Sequence, residues 1–308
     1  MRLHRLVSAI LAACLGLALP AAHATPADLK KSAELLEKHY YESAASLLRS
    51  GKFEGDLEPM AALTLGRAYA RSAELHRALH EASIPLGTRY LQQLVAHRGK
   101  DMSRFAPLYY GEYLIEARRT KEGTAQLRRF LEQKGTAAQY SEIAKALIAS
   151  NEAAPGAGEL KSIDPLARLQ AAAAMSRIPA RRADALAMTD QALDALRKTA
   201  AALPMRAVTQ AVGIYARAAQ HDKAFTVLAA ADPSRPSLEE NVSDSKVLRH
   251  YDPTLLKNLA ELYEGAAESH FERARQAPRI KAVATYFLAE LHVTGGRPAK
   301  AGALLAEL

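Results

Sequence analysis

His76 and His80 stand four residues apart, with Glu81 beside the second. In a helix that spacing puts both rings on one face, and two imidazoles so placed can share a zinc ion. A working zinc site needs three or four ligands and groups behind them that orient the rings. The sequence offers no evident third ligand, so the pair reads as surface histidines, with a metal site the weaker alternative. Arg67 and Arg71 are also one turn apart, as are Glu112 and Glu116 farther along. Two guanidinium groups on one face can grip a carboxylate of a bound partner. The plainer reading is ion pairing between these arginines and glutamates, or simple solvation, contributing about 0 to 1 kcal/mol per pair.

Other reactive residue types are scattered. His250-Tyr251-Asp252 sits in a polar stretch and reads as solvated or as capping the next helix. In His39-Tyr40-Tyr41 adjacent side chains point in different directions, so one tyrosine is expected in the core and the other at its rim. Asn241-Val242-Ser243 has the form of a glycosylation acceptor in an exposed loop. A nucleophile elbow, a P-loop, a dinucleotide-binding glycine run and an HExxH zinc motif are all missing. No catalytic residue, cofactor or small-molecule ligand is expected.

The chain opens MRLHRLVSAILAACLGLALPAAHA, with Arg2 and Arg5 before an apolar run and the small-residue ending Ala22-His23-Ala24. This is the pattern of a secretory signal peptide at 1–24, which predicts a mature protein that starts at Thr25 and is periplasmic or secreted. Leu11-Ala12-Ala13-Cys14 also has the form of a lipoprotein processing site, and Cys14 is the only cysteine. The apolar LGLALP that follows suits the interior of a signal core better than the start of a lipoprotein, so anchoring through Cys14 is the alternative. Cleavage after Ala24 leaves no cysteine and excludes disulfides and thiolate chemistry. The net charge of +8 is spread along the chain with no polybasic arm, so a solvated surface is expected rather than a nucleic-acid partner.

Apolar residues recur at three- and four-residue spacing throughout, and no stretch alternates with a period of two, so the fold is expected to be all-α. Pro and Gly in NEAAPGAGELKSIDP, 151–165, mark a linker between helical repeats at 25–150 and at 166–308. A long polar loop, 232–253, interrupts the second half and is either mobile or a partner contact.

HYYESAASLLRSG and AELHRALHEASIP superpose when Ala44 is aligned with Ala78, an offset of 34 residues. In one unit Leu65, Gly66, Tyr69, Ala78 and Ala82 set a small residue in each of two helices among larger ones. Four further segments share parts of this pattern. They are Leu35, Tyr40, Ala44 and Leu48; Tyr110, Gly111, Leu114, Gly123, Leu127 and Phe130; Tyr215, Ala224, Leu228 and Ala231; and Leu288, Ala289, Gly296, Ala301, Leu305 and Leu308. The pattern resembles the tetratricopeptide repeat, a helix-turn-helix unit. The resemblance implies a right-handed superhelical solenoid of antiparallel helix pairs whose concave groove binds proteins or peptides. It also implies a second helix starting near Glu74 and folding back, so that Ala78 and Ala82 meet Gly66, and a groove lined by Arg67, Arg71, Glu112 and Glu116.

The function expected is therefore a non-enzymatic scaffold or adaptor for another protein or peptide of the cell envelope. The rivals are a lipid-anchored assembly factor and a non-catalytic subunit of a cell-wall enzyme.

Overall fold

A computed structural model describes residues 25–96, 105–116, 119–134, 138–152, 164–199, 202–231 and 253–308. The leader 1–24 with Cys14, most of the 151–165 linker, and the polar loop up to residue 252, with Asn241 and His250-Tyr251-Asp252, lie outside the described residues.

The helical structure among the described residues consists of one 3₁₀ turn (Pro179–Arg181) and thirteen α-helices. They are α1 (Pro26–Glu37), α2 (Tyr41–Arg49), α3 (Leu57–Ala96), α4 (Ala106–Glu116), α5 (Thr120–Leu131), α6 (Ala138–Glu152) and α7 (Pro165–Met175), then α8 (Arg182–Thr199), α9 (Met205–Arg217), α10 (His221–Ala231), α11 (Pro253–Ala274), α12 (Lys281–Thr294) and α13 (Pro298–Leu305). The all-α expectation holds. None of these helices is long and apolar enough to cross a membrane. The chain divides into two compact units, one from residues up to Arg71 together with Ala267–Leu308, the other from Ser72–Ala266. The sequence-based division at the linker does not coincide with that boundary.

Four helical hairpins are built on one turn. In α1–α2, α4–α5, α9–α10 and α12–α13 the residue preceding the second helix donates its backbone N–H to a carbonyl five residues back: Tyr40 to Leu35 (2.9 Å), Arg119 to Leu114 (2.8 Å), Gln220 to Tyr215 (2.8 Å) and Arg297 to His292 (2.7 Å). Such bonds satisfy carbonyls that a helix end leaves orphaned. The residue before it takes a left-handed backbone at His39 (φ 62°), Ala219 (φ 56°) and Gly296 (φ 72°). Four residues into each second helix a small residue is buried, Ala44, Gly123, Ala224 and Ala301. At α4–α5 the approach is closest, because a Cβ on Gly123 would lie 2.7 Å from the Gly111 carbonyl oxygen and one on Gly111 would lie 2.9 Å from that of Gly123. His39-Tyr40-Tyr41 thus forms a turn, with both tyrosines half-buried rather than one in the core.

The segment that matches the repeat pattern best is not a hairpin. α3 runs unbroken from Leu57 to Ala96, and the reversal expected near Glu74 is absent. Residues 67–82 contain neither Gly nor Pro and are rich in Ala, Leu, Arg and Glu, the residues that favour a helix most. The buried stripe continues in phase through Leu65, Tyr69, Ala73 and His76, while Ala78 and Ala82 are exposed. Gly66 instead makes room for an aromatic ring of its own unit: a Cβ there would lie 2.6 Å from Phe271 of α11. Phe271 in turn stacks on Phe287 of α12, with centroids 6.0 Å apart.

Candidate interaction site

α3 carries Arg67 and Arg71 on one side, one turn apart, and in the first unit that side meets α1 and α12. Arg67 lies 3.5 Å from Glu37 of α1, with its guanidinium 5.2 Å from the Phe287 ring centroid. Arg71 lies 3.4 Å from Glu290 of α12. Beside Phe287, Tyr286 meets its ring edge-on at 5.7 Å and is 54% exposed. Both arginine side chains are about four-tenths exposed, and Glu37 more so. Ion pairs this open and this long contribute about 0 to 1 kcal/mol each, and a guanidinium over a ring at an exposed site adds about 0.5 to 1 kcal/mol. Arg67 thus lies over an aromatic ring, and both arginines pair with carboxylates in contacts open to solvent.

The glutamates read from sequence as the arginines' partners take other places. Glu112 pairs with Arg206 of α9; the side chain of Glu116 lies outside the described residues. Gln170 of α7, oriented to satisfy its amide, points its oxygen at Arg206 Nε, 3.0 Å away. Two further pairs in the second unit have the same character, Arg77 of α3 with Glu264 of α11, and Arg217 of α9 with Glu261 of α11 at 2.9 Å. Their partners are 94, 187 and 44 residues apart in sequence, so no local pattern announces them. They tie helices together within the second unit.

The histidines are structural. His76 is fully buried rather than turned to solvent, because it continues the stripe of Leu65, Tyr69 and Ala73. Its Nδ1–H donates to the Ser72 carbonyl at 2.6 Å, and its ring lies 5.1 Å from that of Tyr263. His80 Nδ1–H donates to the Pro253 carbonyl at 2.8 Å. Among the described residues no group of three or more His, Cys, Asp or Glu side chains is placed to hold a metal ion.

Comparison with family models, with curated proteins and with solved structures found no match.

One polar cluster went unread in the sequence. Tyr215 of α9 donates its hydroxyl to Asp190 of α8, and Lys223 of α10 reaches the other Asp190 oxygen at 2.9 Å. Burial and the adjoining carboxylate push the Tyr215 phenol well above its usual range. Burial would raise Asp190 too, but the hydroxyl and the ammonium outweigh it and hold the carboxyl below its usual value. A phenol held protonated and a carboxylate held ionised make a latch across three helices, not an acid–base pair.

Proposed function

We propose that this chain is an exported helical scaffold that holds a protein or peptide of the cell envelope, acting by binding rather than by catalysis. The observation that carries the reading is the α3 face of the first unit, where Arg67 and Arg71 stand half-exposed one turn apart, with Arg67 over Phe287 and Tyr286 edge-on to that ring. An acidic segment with an apolar or aromatic side chain fits it: carboxylates replace Glu37 and Glu290 on the guanidinium groups, and the apolar group covers the rings. The four hairpins with a common turn support a tetratricopeptide-like solenoid, each pair being unable to bury its apolar face alone. Export is supported by the helix start, because Thr25 caps α1 and exchanges hydrogen bonds with Asp28. Cleavage after Ala24 keeps that cap and places the new ammonium beside the Asp28 carboxylate.

The test is affinity capture from envelope extract with the unaltered chain and with the Arg67→Ala/Arg71→Ala variant, followed by titration of the recovered partner at low and high salt. The double variant is expected to bind at least about tenfold more weakly, about 1.4 kcal/mol, with unchanged circular dichroism. The unaltered chain should lose affinity as salt screens the contact. Equal affinities would remove the α3 face from the proposal, and turnover of a cell-wall or peptide substrate by the pure chain would overturn the scaffold itself.

A further inference from the structure

Each of the four hairpins carries a buried pair of residues twelve apart, one in each helix: Ser32 with Ala44, Gly111 with Gly123, Val212 with Ala224 and Ala289 with Ala301. In α1–α2 the Ser32 hydroxyl donates to the Ala44 carbonyl at 2.9 Å, and in α4–α5 a Cβ on Gly111 would lie 2.9 Å from the Gly123 carbonyl oxygen. The first helix ends five residues after its member of the pair, at Glu37, Glu116, Arg217 and Thr294, and three residues separate it from the second helix.

The first unit holds the same arrangement between two helices far apart in sequence. Gly66 of α3 and Ala267 of α11 are both buried. A Cβ on Gly66 would lie 2.6 Å from Phe271, four residues after Ala267; in α4–α5 a Cβ on Gly111 would lie 2.9 Å from Leu127, four residues after Gly123. The rings of Tyr69 and His270, 5.5 Å apart, continue the contact. Five residues after Gly66 comes Arg71, where a first helix of this kind would end. At Arg71 the first unit breaks off, and it resumes at Ala267.

We propose that α3 up to Arg71 and α11 from Ala267 are the two halves of a fifth hairpin, and that the second unit is a module inserted in place of its turn. That module holds its own two ends side by side: the His76 ring lies 5.1 Å from that of Tyr263, and Arg77 pairs with Glu264. Folded, it keeps the two helices paired, as a three-residue turn does elsewhere. Unfolded, it becomes a loop of almost two hundred residues, and closing the hairpin across it is disfavoured on the order of several hundredfold, because closure entropy grows with the logarithm of loop length. The dependence runs one way. The first unit needs the second to be folded, whereas the second, whose hairpins α4–α5 and α9–α10 close over short turns, folds without the first. The inference does not rest on the proposed partner, although Arg67 and Arg71 stand on the split hairpin.

Hydrogen exchange of the full chain, followed by mass spectrometry across a urea series, reads the two units separately. Phe271→Ala, which removes the ring from Gly66, should lower the urea midpoint of α1, α2, α12 and α13 and leave that of α4–α10 unchanged. Gly123→Ala, combined with Leu127→Ala if the second unit is still the more stable, should bring the midpoint of α4–α10 down to that of the first unit. From there the two should fall together. First-unit helices that stay protected at urea concentrations where α4–α10 have lost protection would overturn the dependence. Equal falls of both midpoints in Phe271→Ala would show one cooperative body and overturn the inserted module.

Discussion

The α12–α13 hairpin and the middle of α3 draw on much the same residues, alanine, leucine, arginine and histidine, yet one reverses direction and the other belongs to a helix unbroken for forty residues. In the hairpin, Gly296 takes a left-handed backbone without penalty. Arg297 N–H then closes onto the His292 carbonyl, and Pro298 begins the next helix at a position where its missing N–H costs nothing. Between Gly66 and Ala82, α3 has neither glycine nor proline to favour such a turn, and its residues are mostly good helix formers. Small residues at helical spacing permit two helices to touch; they do not make the chain turn. The local chemistry of the turn decides, and tertiary packing then uses whichever small residues face inward.

The glycines give the sharpest way to break this comparison. Gly123→Ala should destabilise most, by about 3 kcal/mol, because the new methyl meets the Gly111 carbonyl and the Ile115 backbone, which cannot move apart without opening the hairpin. Gly66→Ala should cost about 1 kcal/mol net: overpacking against Phe271 costs about 1 to 3 kcal/mol, offset by about 1 kcal/mol of better helix propensity. Ala78→Leu, on the exposed side of α3, should stay within about 0.5 kcal/mol. Urea unfolding of the three variants ranks them. A large loss from Ala78→Leu would mean that α3 folds back after all.

The hairpins were legible because their small residues and their turns agree. Ala44, Gly111 with Gly123, Ala224 and Ala301 all sit where the repeat pattern puts a close helix approach, and Gly296 with Pro298 marks the turn before Ala301. The α3 segment was misread because Gly66 and Ala78 satisfy the spacing while nothing between them stops the helix; the phase of Leu65, Tyr69, Ala73 and His76 already fits one continuous face. The arginines were legible as a pair on one face, but not their partners. Glu37 and Glu290 come from other helices, and only the packing of α1 and α12 on α3 brings them there. Phe271 beneath Gly66 belongs to the same class, a contact fixed by tertiary packing with no trace in the neighbouring sequence.

The turns can be sharpened as well as broken. Ala219 holds a left-handed backbone (φ 56°) at a strain of about 1 to 2 kcal/mol for a residue with a Cβ. Glycine removes that strain and gives back part of the gain as extra freedom in the unfolded chain, about 0.5 to 1 kcal/mol. Ala219→Gly should therefore stabilise by about 0.5 to 1 kcal/mol, raising the melting temperature by a degree or two. Gly296→Ala makes the opposite change at the matching position of α12–α13, so a loss there beside a gain at Ala219 would confirm that the two turns are equivalent.

The smallest effect expected is a pH dependence at the end of α12. His292 is buried, and its Nδ1 has no hydrogen-bond partner among the described residues. Burial, then the nearby Arg297, pushes its pKa below the ordinary 6.5, while Glu268 pulls the other way from 3.9 Å. Lys300 also disfavours a charged ring, and Glu272 favours one. The folded chain therefore holds His292 neutral over a window just below 6.5 in which the unfolded chain takes up a proton. The contribution to stability is complete above 6.5 and is lost as pH falls through the folded value. Melting temperature should drop as pH falls below about 6.5, and His292→Gln should flatten that drop while lowering stability somewhat at pH 7. His221, also shifted down by burial against the pull of Asp222, titrates in the same sense in the other unit, so the single variant leaves part of the slope. A slope unchanged by His292→Gln would show that the α12–α13 hairpin already admits water to this ring at neutral pH.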